Sequence, residues 1–77
     1  FMMNQSDSEE ISTGTIKCFF PFKGYGFITR EQGKDLFFFY KHLKNEMQIF
    51  EGAKVRFVIN KNKGGKGPFA TEIERIG

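Results

Sequence analysis

Leu36-Phe37-Phe38-Phe39-Tyr40 is the segment that most restricts how this chain can fold. Aromatic side chains favour extended backbone, and a strand turns successive side chains to opposite faces, so no strand can bury this run on one side. Some of these rings must point away from the core. A second aromatic pair, Tyr25 and Phe27, comes just before it in "KGYGFITREQGKDLFFFYKH" (residues 23–42), and the intervening "EQGK" has the length and glycine of a hairpin loop. The chain has 77 residues, eleven Phe and two Tyr. A domain of that size buries only about 60% of its unfolded surface. That is more ring area than a thin core can take, and a contiguous exposed apolar patch marks an interaction surface.

β-Branched and aromatic residues recur in short runs divided by Gly, Pro, Asn or Lys clusters, and no helical apolar period lasts beyond one or two turns. The runs predict strands at 14–20, 24–30, 35–40, 53–60 and 67–76. Five strands in so short a span predict an all-β fold, a closed five-stranded antiparallel barrel of the OB type. "PFK" and "KNKGGK" supply the other turns. Residues 1–12 are polar, acidic and Ser-rich, which predicts a disordered tail, with the domain spanning 13–77. Phe1, ahead of two methionines, is expected to be an expression scar.

Parity assigns the faces. With Ile28 inward, Gly26 is inward and Tyr25 and Phe27 are outward; with Leu36 and Phe38 inward, Phe37 and Phe39 are outward. The expected core is Ile16, Ile28, Leu36, Phe38, Val55, Phe57, Ile59 and Ile73. The outward rings are then surplus to folding.

Charge narrows the function classes. All 12 Lys and Arg lie beyond residue 10, against six acids there, a balance of +6 in the folded part. A basic domain with surface rings suits a polyanion that also offers stackable bases. Cys18 is the only cysteine, which excludes an internal disulfide or a cysteine zinc site and fits a reducing compartment. The N-terminal segment lacks a signal-peptide pattern and no segment is long and apolar enough to span a membrane, so a cytoplasmic location is expected. The chain offers no paired carboxylates, nucleophile–base set or metal cluster, hence no enzyme, cofactor, metal or small-molecule substrate is expected.

Tyr25, Phe27, Phe37 and Phe39 fall on one outer face of two adjacent strands, where opposite side chains lie about 5 Å apart. Cross-strand rings can simply stabilise a sheet, but four of one parity beside lysines form a stacking platform for bases. Lys17, Lys23, Arg30, Lys41, Lys61, Lys63 and Lys66 can contact phosphates. A small barrel docking an apolar or proline-rich peptide on the same face is the alternative. His42 stands alone and is expected to be a surface side chain. "KGYGFI" matches the start of the RNA-binding signature K/R-G-F/Y-G/A-F-V, but the helices of the fold that owns this signature have no room here.

The order "GTIKCFFPFKGYGFI", "DLFFFY", "EGAKVRF", "GKGPFA" across residues 14–76 resembles the cold-shock domain, of general form GTVKWFN...KGFGFI, DVFVH, EGxxVxF, GPxAxxV. The resemblance implies an OB barrel that binds single-stranded RNA and DNA and melts RNA structure as a chaperone; low, pyrimidine-tolerant specificity and a monomer are expected. It also implies binding residues at Lys17, Cys18, Lys23, Tyr25, Phe27, Asp35, Phe37, Phe39, Tyr40 and Lys66. Here Cys18 replaces the family's Trp, Phe20 an Asn and Phe39 a His, while Phe69 takes a place that is often polar. The segment from Leu43 to Glu51 is shorter than in the bacterial pattern, leaving Met47 or Phe50 to replace its loop aromatic.

Overall fold

The computed structural model describes residues 9–61 and 67–77. Five strands, β1 (Glu9–Phe20), β2 (Tyr25–Thr29), β3 (Leu36–Phe39), β4 (Lys54–Asn60) and β5 (Phe69–Arg75), close into a barrel in the order β1-β2-β3-β5-β4. One-turn 3-10 helices at Tyr40–His42 and Glu46–Gln48 connect β3 to β4. Tyr40, expected as the end of β3, thus belongs to the turn that follows it.

Four of the five seams are antiparallel and one, β3 with β5, is parallel. An odd ring cannot alternate direction at every seam. Closure of five strands therefore forces one parallel contact, and it is a short one, Phe37 opposite Phe69, extended by an isolated parallel bridge from Leu43 to Ile73.

β1 begins at Glu9, earlier than the boundary expected at Thr13. Its first half pairs with β4, from Glu9–Asn60 to Thr15–Lys54, and its second half pairs with β2. This pairing gives the backbone of β4 its hydrogen-bonding partner and needs no apolar side chain. Ile11 remains 71% exposed, so burial left no sequence signal there.

The core contains all eight residues that parity selected. It also contains Ile49, Ala53 and Ala70, and Phe19 and Leu43 pack against it. Ile49 lies in the connection before β4, where the period of two does not apply, whereas Ala53, just ahead of β4, keeps the inward parity of Val55. They close one end of the barrel: Ile16 N–H donates to the Ala53 carbonyl at 2.9 Å, and Gly52 N–H donates to the Ile16 carbonyl at 2.9 Å.

Gly26 is fixed by its neighbours. Phe19, Gly26 and Phe38 are opposite one another on β1, β2 and β3, and the two rings meet across the glycine with centroids 5.7 Å apart. A Cβ at 26 would strike the Cys18 carbonyl oxygen and come within 2.6 Å of the Phe38 ring. β5 carries the opposite kind of exception. An extra residue opposite Phe57 bulges the strand, and Glu72 there adopts φ +53°, the left-handed region that costs an L-residue about 1–2 kcal/mol. Its carboxylate is 3.9 Å from Lys44 across open solvent, too exposed a pair to offset that cost.

Two outcomes in urea denaturation follow. Phe38→Ala should lose about 3–5 kcal/mol, because a fully buried ring is replaced by a cavity. Glu72→Asn should gain about 0.5–1 kcal/mol, since Asn tolerates the left-handed region better; an unchanged or lowered midpoint would show that Glu72 is unstrained.

Candidate nucleic-acid interface

The outer face begins with a defect in β1. Ile16 opposes Ile28 and Cys18 opposes Phe27, so Lys17 is an extra residue that resets the alternation. Without it Cys18 would share the inward parity of Ile16. With it, Phe19 packs against the core, while Cys18 and Phe20 turn to the side of Tyr25 and Phe27. The face thus spans β1 as well as the two strands that parity selected.

Across it the rings form an unbroken row. Phe20 lies 5.4 Å from Tyr25, Tyr25 stacks on Phe37 at 5.6 Å, and Phe27 meets Phe37 edge-on at 5.7 Å. Phe37 meets Phe39 edge-on at 4.7 Å. The register explains this: Tyr25 opposes Phe39 and Phe27 opposes Phe37 on neighbouring strands. Tyr25, Phe27 and Phe37 are half-buried, whereas Phe20, Phe39 and Tyr40 are exposed. Mutual edge and face contacts hold the inner rings in place while their outer surfaces stay open.

The row continues past the expected four. Phe39 is followed by His42 at 6.5 Å and His42 by Phe69 at 5.8 Å. His42 was expected to be an isolated surface side chain, and sequence gave little warning otherwise. The 3-10 turn at Tyr40–His42 and the parallel β3–β5 seam bring it between two rings far apart in the chain. Burial first, and then the neighbouring Lys41 charge, hold its pKa below the ordinary histidine value, with Glu72 opposing, so the imidazole is neutral at pH 7.

The cations are arranged unequally. Lys17 Nζ donates to Asp35 Oδ2 at 2.8 Å across β2, and that hydrogen bond with the carboxylate charge raises the lysine's pKa. Lys17 and Asp35, both expected at the site, are thus partners. Lys23 sits over Phe20 at the start of the row and Lys41 over Phe39, where β3 ends, each ammonium 5.9 Å from the ring centroid. Tyr40 lies against Gly24, whose φ of +81° allows the tight turn into β2, and its N–H donates to the Gly24 carbonyl at 2.9 Å.

Some expectations fall elsewhere. Arg30 shares the parity of Ile28 and folds over Gly33, its Nε donating to the Lys34 carbonyl at 2.8 Å, at the hairpin loop and away from the row. The Phe50 ring faces the Arg75 guanidinium at 5.5 Å, and among the described residues no ring pair joins it to the row. Met47 is 93% exposed. Lys63 and Lys66 lie outside the described residues.

Comparison with known proteins gives the same fold and the same residues a family. The model of the "'Cold-shock' DNA-binding domain" matches residues 12–76. The chain is 39% identical over 66 residues to Cold shock protein CapB of Pseudomonas syringae pv. tomato, covering 83% of this chain and 93% of that protein. It is 41% identical over 65 residues to Major cold shock protein CspA of Pseudomonas aeruginosa, covering 82% and 91%. It is also 36% identical over 69 residues to the Retron Se72 cold shock-like protein of Salmonella heidelberg, covering 86% and 100%. A closed five-stranded barrel and a family match over nearly all of its described length place this chain in the nucleic-acid-binding cold-shock domain family.

Proposed function

We propose that the protein binds single-stranded RNA and DNA by stacking successive bases on the outer face of β1, β2 and β3, and that it serves as an RNA chaperone or cold-shock regulator. The observation that carries this reading is the continuous row of open rings from Phe20 to Phe39 with an ammonium group at either end. Rings give affinity with little base preference, because every base has a π-face. Lysines give the phosphate contacts and the salt dependence.

Each residue has a role in this reading. Tyr25, Phe27, Phe37 and Phe39 stack bases, with Phe20 and Tyr40 at the margins. Cys18, beside Phe27, leaves a low spot where a larger ring would stand, so the strand lies closer to β1 there. Lys23 and Lys41 neutralise phosphates, as does Lys66; Lys17 does so from its place beside Asp35. Melting of RNA structure follows from preferential binding of the open strand, which draws the pairing equilibrium toward it. The chain acts as a cytoplasmic monomer, each copy carrying a complete face.

With no tryptophan in the chain, anisotropy of a labelled dT heptamer is the suitable readout. Phe27→Ala and Phe37→Ala should each weaken binding by about 1–3 kcal/mol while the barrel remains folded. Loss of folding with unchanged affinity per folded molecule would reverse the face assignment. Lys23→Gln should lower the slope of log K against log salt by about 0.7, the value for one phosphate contact on a single strand. Binding that is absent, or that does not weaken as salt rises, would instead favour peptide docking on the same rings.

A further inference from the structure

Where the row leaves β3 it stops being flat. Phe37, Phe39, Lys41, His42, Pro68 and Phe69 line a cleft of about 500 Å³, within the range of small-ligand sites and large enough for one base. It is built by the parallel seam: Phe37 opposes Phe69, and the turn after β3 swings His42 into the gap beside them. Phe20, Phe27, Phe37 and Phe39 carry no hydrogen-bonding group. His42, the only histidine of the chain, carries two ring nitrogens.

We infer that this cleft holds one nucleobase of the bound strand and that His42 reads the edge of that base. The inference rests on the stacking function proposed above and adds to it a single position of base selectivity. Phe39 and Phe69 provide the apolar walls and Lys41, whose ammonium lies over Phe39, provides the adjacent phosphate contact. The half-buried, neutral imidazole offers one donor and one acceptor, a pairing that some base edges satisfy and others leave unpaired. In such a partly desolvated cleft an unpaired polar group costs more than it does on the open row. Phe20 and Phe27, which lie outside the cleft and carry no hydrogen-bonding group, cannot make that distinction.

The test is anisotropy with the full chain and dT heptamers in which one position at a time is made abasic, or is replaced by A, C or G. The wild type should show one position with a spread among bases of about three- to tenfold, the worth of one net hydrogen bond, and near-equal affinities elsewhere. His42→Ala should flatten that position to less than twofold, and His42→Gln, which keeps a donor and an acceptor, should restore part of the spread. Phe69→Ala should reduce the penalty of the abasic substitution at the same position. If Phe27→Ala weakens every heptamer while His42→Ala leaves all spreads unchanged, the cleft inference is overturned and stacking stands. If Phe27→Ala and His42→Ala both bind as the wild type does, stacking falls and the cleft with it.

Discussion

The outer face depends on a contact inside the barrel. Phe19 and Phe38 meet across Gly26, filling the space that any side chain there would need. That packing fixes β2 and β3 with Gly26 and Phe38 inward, and strand alternation then has only one place for Tyr25, Phe27, Phe37 and Phe39. A slip of one residue in either strand would bury this set and expose the core. Folding and the presentation of the rings are therefore one constraint seen from two sides.

The bulge at Lys17 couples a third strand to this arrangement. It lets β1 contribute Ile16 and then Phe19 to the interior while placing Cys18 and Phe20 on the face. The extra residue is also the lysine that reaches across β2 to Asp35, tying β1 to the residue just before β3. Since both groups are substantially exposed, this pair orders the edge of the face more than it stabilises the barrel. Lys23 and Lys41 are placed differently, each with its ammonium over a ring, Phe20 and Phe39 respectively.

Most of the barrel was legible because its strands obey a period of two. Eight core residues and four outward rings follow from parity alone, and all eight are buried. What parity missed lies where that period breaks. The bulge at Lys17 reverses the faces of Cys18, Phe19 and Phe20, and no residue type marks a bulge when the inserted residue is an ordinary lysine. The first residues of β1 are held by main-chain pairing, which leaves no apolar pattern. Ile49 joins the core from a connection rather than a strand. His42 and Phe69 are joined by the parallel seam, a contact between distant segments that a local reading treats as two unrelated side chains.

The central claim is that rings pointing away from the core meet bases directly. Ring-proton NMR during titration with an unlabelled dT heptamer tests it residue by residue, because a stacked base shifts the protons beneath it. The account predicts upfield shifts for the ring protons of Tyr25, Phe27, Phe37 and Phe39, with those of buried Phe38 and Phe57 nearly unmoved. Perturbation confined to lysine side chains, with the outer rings unchanged at saturation, would contradict it.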